Sequence, residues 1–209
     1  MMQIEVKNLI KKIHGNQILN DISYTFSGGK VYGLRGKNGC GKTMFMRTLA
    51  GLVRPTSGEI WIQGKQLYKE MSVPKSIGIL IENPSFLGEY TGLQNLKMLG
   101  DLIGGVSREE LTRLMEQVGL GEAKDKKYYK YSLGMKQRLG IAGAVIGNPE
   151  IILLDEPINA IDENSVGDIR DLILSLKTPE RIIIVACHDR EELELLSDTI
   201  INMAEGRFR

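Results

Sequence analysis

Gly36-Lys37-Asn38-Gly39-Cys40-Gly41-Lys42-Thr43 fits the pattern G-x-x-x-x-G-K-[ST]. A strand-like run, Lys30 to Arg35, precedes it, and a helix-like run, Thr43 to Leu49, follows. Glycines let the backbone turn tightly, so successive N–H groups point into one concavity. The following helix directs its positive N-terminus at the same place. Lys42 then reaches the β- and γ-phosphates of a nucleoside triphosphate, and the Thr43 hydroxyl binds Mg²⁺. A plain glycine-rich turn fits the same residues; the strand before and the helix after favour the phosphate site.

Around this loop the chain reads as α/β. Strands are expected over Ile4 to Leu9, Ile18 to Phe26 and Val31 to Leu34, with a turn at Gly28-Gly29. Another is bounded by Gly58 and Gly64. Ile77 to Ile81 is apolar apart from Gly78, which predicts a strand buried on both faces. From about Thr91 to Gly147 the pattern turns helical: Leu93, Leu96, Leu99 and Leu102 recur at helical spacing, as do Leu111, Leu114, Met115 and Val118. Strands at Ile151 to Leu154, Arg181 to Cys187 and Thr199 to Met203 then alternate with helices at Ser165 to Leu176 and Glu191 to Leu196. That alternation predicts a mainly parallel sheet flanked by helices.

The bulk numbers bound the function. The 209 residues are 42% hydrophobic and 25% charged, ordinary for a globular chain. A net charge of +1 gives no overall field toward nucleic acid or anionic membrane. The start, Met1 to Ile10, reads as a strand, not a signal peptide. The longest apolar run, Ile182 to Cys187, is far shorter than the roughly 18 residues that span a bilayer. Any membrane role therefore goes through a partner. Cys40 and Cys187 lack metal-like spacing and suit a reducing compartment, each as a small buried residue.

Two more segments carry chemistry. Ile151-Ile152-Leu153-Leu154 ends in Asp155-Glu156. A carboxylate at the C-terminal end of a parallel strand faces the ligand crevice of such sheets. Asp155 is placed to hold Mg²⁺, and Glu156 to polarise a water for attack on the γ-phosphate. Acids also end strands simply where the chain returns to solvent; beside a phosphate loop the catalytic reading is favoured. Tyr131-Ser132-Leu133-Gly134-Met135-Lys136-Gln137-Arg138 opens a helix to about Ile146, with Ser132 as N-cap.

Together these segments resemble the nucleotide-binding subunit of an ATP-binding cassette (ABC) transporter, over nearly the whole of residues 1–209 and in the right order. Gly36 to Thr43 looks like the Walker A loop, Tyr131 to Met135 like the signature, and Asp155 and Glu156 like the Walker B acid and catalytic Glu. Asn159 to Asp162 matches the D-loop, and His188 the switch histidine. The resemblance implies a single P-loop ABC ATPase domain with an antiparallel β subdomain and a helical subdomain over about 91–147. It implies ATP and Mg²⁺ as cofactors, with Glu156, His188 and Lys42 catalytic. Nucleotide contacts fall on Gly36, Lys37, Asn38, Gly39, Cys40, Gly41, Lys42, Thr43, Met44, His14, Ser132 and Gly134, and metal contacts on Thr43, Asp155 and Glu82. Two subunits would pair head to tail, as a homodimer or heterodimer, with Ser132 of one closing the site of the other. A membrane-spanning permease would convert their motion into transport. The subunit itself would be cytoplasmic, peripheral at the inner face of the membrane, with no nucleic-acid partner. The last strand is expected close to Arg209, which would leave no room for the regulatory domain some importer subunits carry.

Three positions depart from the family pattern. Glu82, in Ile81-Glu82-Asn83-Pro84, stands where a glutamine is expected. A carboxylate there would bind metal more strongly than an amide and add to the charge of Asp155 and Glu156; alternatively it points to solvent. Gln94 is no substitute. Leu133 stands where the signature usually has Gly, at a cost in backbone freedom. These two departures are similar to the bacitracin- and lantibiotic-type exporter variant. His14 stands near the position of the aromatic that stacks on adenine, or is a surface residue. Lys124 to Tyr131 reads as a solvated loop, although its mixed bases and aromatics also suit nucleic-acid stacking. Phe86 and Leu87 fall in the permease-contacting region, or cover the local core. The alternatives to a transporter ATPase are a soluble ABC-type ATPase without a membrane partner and a non-hydrolysing nucleotide-dependent switch.

Overall fold

The computed structural model describes residues 2–209, apart from the side chains of 163 and 164. An antiparallel sheet is built from β1 (Gln3–Ile13), β2 (Asn16–Ser27), β4 (Ser57–Ile62) and β5 (Lys65–Gln66), in the order β2-β1-β4-β5. The second sheet contains β3 (Lys30–Arg35), β6 (Ile77–Leu80), β7 (Ile151–Asp155), β8 (Ile182–Ala186), β9 (Thr199–Ala204) and β10 (Arg207–Phe208). Its order is β10-β9-β3-β8-β7-β6, parallel except for the β9–β10 hairpin. Between β6 and β7 lie α2 (Gly92–Ile103), α3 (Arg108–Gln117) and α4 (Leu133–Val145), the helical stretch that the leucine spacing announces. The phosphate loop leads into α1 (Lys42–Leu49), and α5 (Glu163–Ser175) and α6 (Arg190–Leu196) follow β7 and β8.

β7 and β8 are buried at every position. Because successive side chains in a strand point to opposite faces, the two strands feed two separate cores. Ile152, Leu154, Ile183 and Val185 join the core beneath the helices, with Leu96, Met115 and Ile141. Ile151, Leu153, Ile182 and Ile184 join the other, with Phe26, Phe45 and Ile60 of the antiparallel side. Helix starts follow the local chemistry. Thr91 with Gln94 and Ser107 with Glu110 form capping boxes, in which each side chain bonds the other residue's backbone N–H. Gln94 is thus employed in a cap.

The expectation of full burial for the β6 strand fails at Ile79, which is 38% exposed. β6 is the edge of its sheet, and only its Gly78 and Leu80 side is pressed on a helix. A Cβ at Gly78 would stand 1.6 Å from the Ala144 carbonyl oxygen, so glycine is what lets α4 lie against this edge. The solvated-loop reading of 124–131 also needs correction. Tyr128 and Tyr131 are buried in the helical core, while Tyr129 is exposed. Tyr128 stacks edge-on against Phe86 and its hydroxyl donates to the Pro84 carbonyl at 2.7 Å. The two readings of residues 86–87 divide: Phe86 covers the core, and Leu87 is exposed.

Candidate functional site

Register explains why distant residues meet. Leu34 of β3 and Asp155 of β7 both pair with Ala186 of β8, so the three strands end side by side. The phosphate loop leaves β3 there, Asp155-Glu156 ends β7, and Cys187-His188 follows β8. Gly39 and Gly41 hold positive φ (79° and 113°), the backbone region open to glycine and strained for other residues. A cavity of about 420 Å³ opens above, lined by Ile18, Asn38, Gly39, Gly41, Lys42, Thr43, Met44, Arg47, Glu82, Asp155 and Glu156. Lys42 is buried, and its ammonium donates to the Gly36 carbonyl at 2.6 Å and the Lys37 carbonyl at 3.4 Å. Gly36 and Cys40 shape the loop: a Cβ on Gly36 would meet the Met203 carbonyl oxygen at 2.3 Å and Cys40 Sγ at 2.6 Å.

At the cavity floor, Thr43 Oγ1 donates to Asp155 Oδ2 at 2.6 Å. Burial pushes the Asp155 carboxyl above its ordinary range, opposed by the Thr43 hydrogen bond; the Glu156 charge adds to the rise, Lys42 opposes it, and Glu82 adds again. A hydroxyl and a carboxylate against an anion-binding loop are an all-oxygen donor set suited to a hard divalent cation such as Mg²⁺. Glu156 takes a left-handed backbone (φ 51°) and its N–H donates to the Ala186 carbonyl at 2.8 Å. Its carboxylate meets His188: Oε2 lies 2.7 Å from His188 Nδ1 and 3.4 Å from the His188 N–H. One oxygen of Glu156 is thereby held while the other is left to act. Asp189, next in the chain, caps α6 through Glu192 N–H at 3.0 Å. Cys187 is buried below, its thiol pushed up to about 12 by burial, and takes the role of a packed small residue.

The segment from Tyr131 to Arg138 approaches the same acids from the helical side. Ser132 is exposed and caps α4, accepting from Met135 N–H at 3.2 Å. A Cβ on Gly134 would lie 2.7 Å from the Ala160 carbonyl oxygen, so this helix start abuts the 159–162 turn. Gln137 was not singled out by the sequence. It is buried, and its amide donates to the carbonyls of Glu156 at 2.9 Å and Pro157 at 3.3 Å. The only sequence hint is a polar residue on a helix face otherwise given to Gly140, Ile141 and Ala144.

The family model described as "ABC transporter" matches residues 19–159, more than half of the chain. The chain belongs to the ABC transporter family. It is 46% identical over 205 residues to an uncharacterized ABC transporter ATP-binding protein of Bacillus subtilis, covering 98% of this chain and 94% of that one. It is 40% identical to the bacitracin transport ATP-binding protein of Enterococcus faecalis, covering 98% of this chain and 67% of that one. Its fold matches an ATP-binding cassette solved as a dimer in a post-hydrolysis state with ADP and Pi, with TM-score 0.88 and 23% identity over 99% and 96% of the two chains. The expected ABC ATPase architecture is therefore borne out. The chain is the ATP-binding, ATP-hydrolysing subunit of an ABC transporter, and it powers transport through a separate membrane partner. None of its described helices is long and apolar enough to cross a membrane.

Against that family pattern, the three departures resolve differently. His14 lies exposed in the β1–β2 turn with φ 48° and is not among the residues that line the cavity, which include Ile18. Leu133 is 60% exposed and lines a small recess with Glu82, Gln137, Glu156 and Asn159. Glu82 lines the nucleotide cavity, but its carboxylate is engaged by Arg47 of α1 at 2.6 Å.

Proposed function

We propose that this ABC subunit hydrolyses ATP at the cavity above Lys42, using Glu156 as base and His188 as its orienting partner. The observation that carries this is the 2.7 Å Glu156–His188 contact beside the buried Asp155. Backbone N–H groups from Asn38 to Thr43 and the α1 N-terminus bind the phosphates, and Lys42 exchanges its loop carbonyls for phosphate oxygens. Thr43 and Asp155 would hold Mg²⁺, which would supply Lewis-acid neutralisation of phosphate charge. Glu82, paired with Arg47, would stand outside that donor set. Glu156 accepts the proton of a water as its oxygen attacks the γ-phosphorus; the bond to the β-bridging oxygen breaks, giving ADP and phosphate.

The site is half of a pair in this reading. Exposed Ser132 at the start of α4, with the helix dipole behind it, suits γ-phosphate capping on a second subunit placed head to tail. The partner subunit is a second copy or a relative, and all of 1–209 acts as one ATP-binding domain with 91–147 as its helical subdomain. An apolar groove of about 400 Å³ supports the permease contact: Ile79, Phe86, Leu99 and Ile103 line it between the β6 edge and α2. Seated there, the subunit is peripheral at the cytoplasmic face. The 40% identity to the bacitracin transport protein supports export of a peptide-like antibiotic.

Glu156→Gln provides the test. Hydrolysis should fall by at least about 100-fold, the scale of a lost general base, while ATP binding persists and an ATP-dependent dimer accumulates on size exclusion. Undiminished turnover would overturn the assignment.

A further inference from the structure

Glu82 adds a third acid to a cavity that must bind a polyanion. Among the residues lining that cavity, Glu82, Asp155 and Glu156 are acids and Lys42 and Arg47 are cations. Lys42 serves the phosphates themselves, resting on the Gly36 and Lys37 carbonyls until phosphate oxygens take their place. Arg47 projects from the last turn of α1, and its guanidinium lies 2.6 Å from Glu82 Oε1. The two side chains are 33% and 60% exposed, so the pair sits at the rim, where water can replace it. Glu82 also holds φ 63°, a left-handed backbone that a non-glycine residue adopts at a cost. The chain continues at once into Asn83, Pro84, Ser85 and Phe86, which line the apolar groove on the other side.

We infer that Arg47 is a positioning residue that latches Glu82 to α1, neutralising the third acid so that the cavity accepts the triphosphate. The inference rests on the ATP reading above and concerns residues outside the shared loop and acid motifs. Without the latch, Glu82 swings free as an uncompensated anion that repels the phosphates and draws the metal. An arginine that instead contacted phosphate directly would act whatever residue stood at 82. The two roles are therefore separable by a double-mutant cycle.

The cycle is read as binding of a fluorescent ATP analogue in EDTA, with no metal and no turnover. Arg47→Ala should weaken binding about fivefold, the most that releasing a partly exposed ion pair returns. Glu82→Gln combined with Arg47→Ala should return to within about twofold of the unchanged chain, because no free acid remains to repel. Arg47→Lys, which keeps the charge, should stay close to the unchanged chain. In parallel, Mn²⁺ affinity measured by electron paramagnetic resonance with a non-hydrolysable ATP analogue should rise in Arg47→Ala and not in the double variant. An equal loss of metal-free binding from Arg47→Ala in both backgrounds overturns the latch and leaves the ATP reading standing. Failure of the unchanged chain to bind the analogue even with Mg²⁺ overturns both.

Discussion

Thr43 Oγ1 and Asp155 Oδ2 stand 2.6 Å apart although 112 residues separate them in the chain. The contact joins the first turn of α1 to the end of β7, and it sits on an acid whose burial disfavours its charge. Thr43→Ala removes both the hydroxyl and the hydrogen bond that favours the Asp155 carboxylate. Mg²⁺-dependent ATP affinity should drop about 10- to 100-fold, as for lost supporting bonds around metals. Thr43→Ser keeps the hydroxyl and should stay within a few-fold. Calorimetric titration of Mg-ATP into both variants checks this.

His188 meets the Glu156 carboxylate twice, its ring Nδ1 at 2.7 Å and its backbone N–H at 3.4 Å from the same oxygen, Oε2. His188→Ala should therefore lower kcat by about 10²-fold while leaving the KM for ATP nearly unchanged, since an orienting group acts on the reacting step. A matching loss in KM would mean that His188 binds substrate instead.

Gly134 has no room for a methyl group beside the Ala160 carbonyl oxygen. Gly134→Ala should cost about 1–3 kcal/mol of stability, the range for overpacking. Gln137→Ala leaves the Glu156 carbonyl without that side-chain donor and should cost a similar ~1–3 kcal/mol. Chemical unfolding of each variant gives the number. A neutral result for either would show that the helix start and the 157–160 turn move independently.

Alkaline pH should loosen the fold through two tyrosines. Burial pushes the Tyr68 and Tyr131 hydroxyls up to about 12, from an ordinary value near 10. A raised acid binds its proton more tightly when folded, so its contribution is complete below about pH 10 and is lost as pH rises toward 12. Tyr68 donates to the Val53 carbonyl at 2.7 Å and Tyr131 to that of Ala123 at 2.8 Å. Unfolding free energy measured from pH 9 to 12 should decline for the unchanged chain, and less steeply in Tyr131→Phe.

The sheet and the phosphate loop were legible because they are local: alternation of apolar residues, a glycine spacing, a hydroxyl before a helix. Asp155 and Glu156 were legible because they end a strand with a clear apolar run; His188, after another such strand, was singled out only by the family resemblance. What escaped depends on neighbours far along the chain. Nothing in the run Ile77 to Ile81 reveals that no strand covers its outer edge. Tyr128 and Tyr131 look like their exposed neighbour Tyr129 until the helices fold over them. His14, placed by analogy along the chain, sits exposed in a two-residue turn. Arg47 gave no local signal, and Gln137 only that of a polar residue on an otherwise small and apolar face, because their partners lie on other elements.

The strand that carries Asp155 and Glu156 is enclosed from both sides, its alternate residues gripped by two different cores. A machine that cycles must flex somewhere, and this arrangement denies that freedom to the acids. The exposed positions around them are Ile79 on the outer side of the β6 edge, Glu82 at the rim and Leu133 at the start of α4. Changes that fit the subunit to a new permease can thus accumulate on that exposed side without disturbing the enclosed strand that presents the reacting acids.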